Sequence, residues 1–195
     1  MRIVLLALAS FLLPACVSLS TFQTPVPVGK GRLALGAGAV TVVPTDSSEG
    51  GGLLPELYAR YGVSPNVDVT GKFLGIPPFG ALYGDVKVRM VQRPFSVSGV
   101  LGVSVAGADS LSTVGFYPMV LAGSDHFYVG GKAIFFSTQV AGIIDELNAT
   151  MYGVVVGGSF GGRMRFLPEL NLYFGGERVV PVVGVGFQYD VSGSP

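Results

Sequence analysis

Beyond its N-terminus the chain lacks any stretch approaching the roughly 20 consecutive apolar residues that a membrane-spanning helix requires. It is nevertheless strongly apolar, with 49% hydrophobic residues and a mean hydropathy of +0.59. Charge is also scarce, at 12% of 195 residues, about half the fraction usual in a soluble domain. Net charge is zero and no basic patch stands out, which sets nucleic-acid binding aside. A single cysteine, Cys16, excludes a disulfide framework. The single histidine, His126, leaves no metal-ligand spacing and no nucleophile–base pair to pursue. Neither a catalytic residue, a metal nor a cofactor is therefore expected. Apolar composition without a spanning helix leaves two classes: an unusually apolar soluble β protein, or a membrane barrel.

What is present is a period of two. In one segment Leu82, Gly84, Val86, Val88 and Met90 share one parity, and Tyr83, Asp85, Lys87 and Arg89 the other. In another, Val67, Val69, Gly71 and Phe73 oppose Asn66, Asp68, Thr70 and Lys72. Such alternation marks a strand between two different environments. Ten such segments of about ten residues run from Arg32 to Tyr189, the one near Met151 to Ser159 alternating poorly. The strand charges Arg32, Glu56, Arg60, Asp68, Lys72, Asp85, Lys87, Arg89, Lys132, Arg165 and Glu169 all take the polar parity. A soluble barrel turns its apolar parity inward, and a membrane barrel turns it outward. Sparse charge of mixed sign suits an enclosed lumen, and aromatics such as Tyr61, Phe95, Phe127, Phe187 and Tyr189 near strand ends suit membrane girdles. The absence of tryptophan weakens that girdle signal.

Connections are read as alternating between long polar loops, such as Pro44 to Leu53 and Ser137 to Thr150, and short turns, such as Ser64-Pro65-Asn66 and Gln92-Arg93-Pro94. The longest is given one helical turn around Ile143 to Leu147. Pro118, Pro168 and Pro181 stand against the strand assignment, because proline donates no ladder hydrogen bond. The repeat of Leu54-Pro55-Glu56-Leu57 in Leu167-Pro168-Glu169-Leu170 is read as a recurrent bulge or as chance.

Residues 1–15 read as an export signal, with Arg2 followed by the apolar Ile3 to Leu13. Leu13-Pro14-Ala15-Cys16 resembles a lipobox, which implies lipidation on Cys16; Pro14 departs from that pattern. Residues 16–30 then read as a lipidated N-terminus and extended tether, 31–190 as the barrel, and 191–195 as a tail.

Across roughly Gly31 to Tyr189 the chain resembles small bacterial outer-membrane β-barrel proteins as a broad class. Phe187-Gln188-Tyr189 is similar to their aromatic-ending last strand, although Asp190 to Pro195 follow it. The resemblance implies an all-β fold, a closed antiparallel up-and-down transmembrane barrel of about ten strands, with eight possible. It also implies both termini in the periplasm, outer-membrane lipid around the barrel, and handling by barrel-assembly and lipoprotein-export machinery. Ten-stranded outer-membrane proteases share the architecture, but His126 follows a short turn on the side opposite their catalytic rim. Asp145 and Glu146 form a carboxylate pair that could hold a cation, and a solvated loop face is the simpler reading. The lumen network of Glu56, Arg60, Asp68, Lys72, Asp85, Lys87, Arg89, Lys132, Arg165 and Glu169 is expected to fill a small barrel rather than line a selective pore. The expected function is non-enzymatic, structural or surface-interacting, with an unknown surface partner. A soluble lipocalin-like lipoprotein binding an apolar ligand and a narrow small-solute pore are the alternatives.

Overall fold

The computed structural model describes residues 19–44, 52–76, 79–108, 111–140, 144–175 and 178–192. Ten antiparallel strands close into one barrel: β1 (Leu33–Val42), β2 (Leu53–Ser64), β3 (Val67–Ile76), β4 (Phe79–Val91), β5 (Ser96–Ala108), β6 (Leu111–Gly123), β7 (Phe127–Val140), β8 (Ile144–Gly158), β9 (Met164–Gly175) and β10 (Arg178–Asp190). A two-residue bridge, Phe160–Gly161, pairs with β9 just past the end of β8. Each strand pairs with its neighbour in sequence, and β10 returns to β1 with Ala37 opposite Phe187. Closure removes the open edges that would otherwise present unpaired backbone groups. β1 begins and β10 ends at one mouth of the barrel, where Val191 N donates to Leu33 O at 2.9 Å. We call this the terminal mouth, and the opposite one the far mouth.

The two parities separate as the alternation requires. Leu35, Leu57, Val69, Leu82, Leu101, Val120, Val129, Val154, Leu170 and Val183 represent an exposed apolar face on all ten strands. Glu56, Arg60, Asp68, Lys72, Asp85, Lys87, Lys132 and Glu169 are buried on the inner face. Soluble monomers rarely expose contiguous apolar patches beyond a few hundred Å², and here the apolar surface runs around the whole circumference. The medium it suits is hydrocarbon. A soluble barrel with an apolar ligand inside would need the opposite orientation, so that alternative loses its basis. Aromatics pair on the outer face, with Phe127 against Phe160 (5.4 Å) and Phe166 against Phe187 (5.4 Å) at the terminal mouth, and Phe116 against Phe135 (6.4 Å) farther along.

Four expectations change. Two connections expected to be long, Ala106 to Ser112 and Ser137 to Thr150, are largely strand, since β5 and β6 leave only residues 109–110 between them and β7 and β8 only 141–143; the long connection between Val42 and Leu53 stands as expected. Ser137 pairs with Asn148 and Thr138 with Leu147. Polar residues there belong to a continuing hairpin, not a helical turn, and Asp145 and Glu146 stand at the start of β8. The poorly alternating segment is part of the longest strand, at 15 residues. Its inner positions Met151, Gly153, Val155 and Gly157 are apolar or small, so both faces look alike in sequence. The three prolines are tolerated because each is in register with one neighbour while its other ladder is broken or ended. Pro118 lies opposite Leu101 where the pairing of β6 with β7 skips from Phe116 to Met119. Pro168 lies opposite Val185 where β9 pairing passes from Phe160 to Gly157. Pro181 lies opposite Leu172 just beyond the last β1 pair, Val42 with Val182. Finally, the repeated Leu-Pro-Glu-Leu marks no bulge; register shifts fall instead at Gly62/Ser64, Arg89/Val91 and Thr138/Val140.

Candidate functional site

The lumen is occupied by the chain's own N-terminal segment. From Lys30 at the terminal mouth the backbone, followed toward the N-terminus, turns into the barrel. Val28 N donates to Asp68 Oδ2 (3.2 Å), Pro25 O accepts from Ser98 (2.5 Å), and Leu19 O accepts from the Tyr173 hydroxyl (2.9 Å) near the far mouth. Leu19, Ser20, Thr21, Phe22, Gln23 and Thr24 are all buried. Within the segment read as an extended tether, residues 19–28 are seated inside the barrel as a plug, and Leu19 lies far from the mouth where β1 begins.

The charges predicted to fill the lumen serve as its receptor. Glu169 accepts the Thr21 N–H (2.7 Å) and the Phe22 N–H, and is braced by Tyr128 (2.5 Å) and Asn171 (3.4 Å). Glu56 accepts from the Ser20 hydroxyl and pairs with Lys72 at 3.1 Å. Lys72 Nζ donates to Ser20 O (3.2 Å). Arg60 donates to Phe22 O (3.1 Å) and to Gln188 Oε1 (3.1 Å). Lys87 pairs with Asp68 at 3.2 Å and donates to Thr24 O (2.9 Å). Asp85 lies 3.5 Å from both Gln23 Nε2 and the Tyr117 hydroxyl. Lys132 sits over the Tyr173 ring, 4.9 Å from its centroid. Four acids and four bases make this interior neutral. Cations meet segment carbonyls, and acids meet its N–H and O–H groups. An extended peptide without a strand partner leaves its backbone groups unsatisfied, and buried ones must find partners; here side chains supply them.

Phe22 is the apolar anchor. It is fully buried, stacks on Tyr58 at 6.2 Å, and lies 5.7 Å from Lys72 Nζ. A β-carbon at Gly38 would come within 2.6 Å of its ring, and at Gly184 or Gly186 within 3.0 Å. These glycines of β1 and β10 form the recess that holds the ring. Phe22 itself has φ +44°, a conformation that costs a β-carbon-bearing residue roughly 1–2 kcal/mol. Elsewhere inward glycines admit tyrosines: an added β-carbon would meet the Tyr58 ring from Gly36 at 2.1 Å and the Tyr128 ring from Gly157 at 2.2 Å.

Two predicted network members lie outside it. Arg89 is half-buried at the terminal mouth, bonded to Asn66 Oδ1 (2.9 Å) and Pro65 O (3.2 Å). Arg165, also half-buried, stands 3.9 Å from Asp125 at the same mouth. Both occupy the polar parity, but at strand ends, where that face leaves the lumen. His126 is exposed in the β6–β7 turn, with its Nδ1 3.3 Å from Ser159 O. Cys16 and the export signal lie outside the described residues. The residues that sequence reasoning missed are Ser20 to Thr24 and their glycine recess. The one available signal was the repeated Leu-Pro-Glu-Leu, which places Glu56 and Glu169 inside as the two carboxylates that grip Ser20, Thr21 and Phe22.

No protein-family model matches the chain, and no curated protein matches it in sequence. Among solved structures it is similar to the N-terminal β-barrel domain of Pseudomonas aeruginosa OprF, with 11% identity, a TM-score of 0.35, and coverage of 83% of this chain and 98% of that one. It is similar to Ail, the attachment invasion locus protein of Yersinia pestis, at 14% identity and TM-score 0.31, covering 83% and 99%. It is also similar to outer membrane phospholipase A from Escherichia coli, at 12% identity and TM-score 0.36, covering 82% and 92%. At these scores the functional reading rests on the geometry of this barrel alone.

Proposed function

We propose that this chain is a non-enzymatic bacterial outer-membrane barrel with a structural or surface-interaction role, its lumen closed by its own N-terminal segment. The seating of Leu19 to Val28 among buried, mutually bonded charges supports this reading over that of an open pore. The apolar circumference supports residence in lipid, and the terminal mouth then faces the periplasm, as an exported barrel inserted by the barrel-assembly machinery would. Planar-bilayer recordings test it. Wild-type protein should show no stable conductance, and reproducible conductance would give the lumen to solute transport instead.

Lipidation at Cys16, with use of the lipoprotein-export machinery, belongs to the same proposal, and the plug constrains it. Tyr173, the residue that holds Leu19, lies nine residues along β9 from Met164, about 30 Å of strand at 3.3 Å per residue. Leu19 is the third residue beyond Cys16, a reach of at most about 11 Å. With the plug seated, acyl chains on Cys16 would therefore enter the leaflet at the far mouth and not the one at the terminal mouth. Mass spectrometry of the mature N-terminus decides the modification: an unmodified terminus at any other residue removes it.

A further inference from the structure

We infer that the terminal mouth is a binding site for a phosphate-bearing anion. A cavity of about 340 Å³ opens there, bounded by Thr24 and Val26 to Lys30 of the N-terminal segment and by residues of β2, β4, β9 and β10. Arg32, Arg60, Arg89, Arg165 and Lys30 line it against only Asp125 and Asp190, an excess of three positive charges. The two acids are already engaged, Asp190 by Arg32 and Asp125 by Arg165. Arg60 is spent on Phe22 O and Gln188. Among the described residues Lys30 and Arg89 make no ion pair. Arg89 is held through Nε and Nη2 by Asn66 Oδ1 and Pro65 O, neutral acceptors that orient the guanidinium without discharging it. That leaves Nη1, which makes no hydrogen bond among the described residues, as the charged donor held in place for an anion oxygen.

Charge placement along the chain points the same way. The exposed Arg93 and Arg163 also belong to the terminal end. The resulting field draws anions toward the terminal mouth. A three-charge excess favours a ligand with at least two negative charges, which a monocarboxylate lacks. The volume lies near the lower end of small-molecule sites, about 300–1,000 Å³, and suits a phosphomonoester or pyrophosphate group rather than a polymer. Such a group could belong to a soluble compound or to a lipid headgroup of the adjoining leaflet.

The test titrates full-length protein in a neutral detergent with inorganic pyrophosphate at low salt, by calorimetry. Wild type should bind saturably, more weakly as salt rises. Lys30→Gln combined with Arg89→Gln should weaken binding at least about tenfold, since a hydrogen bond to a charged group contributes that much or more. Heat-modifiable gel migration shows that the double variant is folded. If it is not, Lys30→Gln alone, at an exposed position, should give a smaller loss in the same direction. No saturable binding by wild type, or equal binding by folded variants, overturns the inference. Repeating the titration in phosphatidylcholine bilayers with and without phosphatidic acid, whose headgroup is a phosphomonoester, assigns the source. Competition by phosphatidic acid identifies the headgroup, and undiminished binding identifies a soluble phosphate compound.

Discussion

Replacing Phe22 separates what the ring contributes from what its backbone costs. The ring is fully buried between Tyr58 and the recess of Gly38, Gly184 and Gly186. Truncating such a phenylalanine to alanine typically costs about 3–5 kcal/mol, which corresponds to a shift of about two to nearly four orders of magnitude in the equilibrium between seated and released plug. Phe22→Gly removes the same ring and one carbon more. Glycine ordinarily loses about 0.4–1 kcal/mol to alanine through the freedom of the unfolded chain. At φ +44° the β-carbon itself is strained by roughly 1–2 kcal/mol, so the usual order reverses. Phe22→Gly should therefore hold the plug better than Phe22→Ala, by about 0.5–1 kcal/mol on these figures. Amide hydrogen exchange in micelles reads the difference at Thr21 and residue 22, whose N–H groups are bound by Glu169, and at Val28, bound by Asp68. Protection there should fall steeply in Phe22→Ala while the barrel strands keep theirs. Unchanged protection in Phe22→Ala would refute the anchoring role, and greater protection in Phe22→Ala than in Phe22→Gly would refute the strain.

The recess gives a second test: Gly186→Val should expel the plug, seen as protease cleavage within residues 19–28 of a barrel that still migrates as folded. Gly71→Ala, with nothing within 4 Å of the added carbon, should leave both unchanged. Lys87 and Asp68 are wholly buried at 3.2 Å, and removing one partner of such a pair costs about 3–5 kcal/mol, so Lys87→Met should sharply lower urea stability in vesicles. Adding Asp68→Leu should recover much of the loss; a further drop would mean that the pair is not what the lumen depends on. On the outer face Val103→Arg, at a well-exposed position, should destabilise a bilayer-embedded barrel by about 2–4 kcal/mol. A soluble barrel would accept that arginine with little change.

Strand number, face assignment and closure were legible because a strand between unlike media must alternate, and that period survives in the order of residues alone. Leu82 to Met90 shows it, and the structure exposes Leu82, Val86, Val88 and Met90 while burying Tyr83, Asp85 and Lys87. Where both faces carry similar residues, as at Met151 to Gly157, the signal vanished although the strand did not. Connection lengths misled because a hairpin tip outside the apolar band is polar whether it is loop or ladder, as Ser137 to Asn148 shows.

The plug was beyond sequence reasoning for a different reason. Leu19 to Val28 has no period of its own, since it joins no ladder and turns no single face to the wall. Its partners lie 36 residues away at Glu56, 73 at Ser98 and 148 at Glu169. By itself the sequence determined that the chain alternates, that about ten strands close, and that a sparse balanced set of charges points inward. Only the tertiary structure decided what those charges hold. The enclosed space and the glycine recess exist only once β10 has met β1, and a contact between an aperiodic segment and a closed wall leaves no pattern in either one alone.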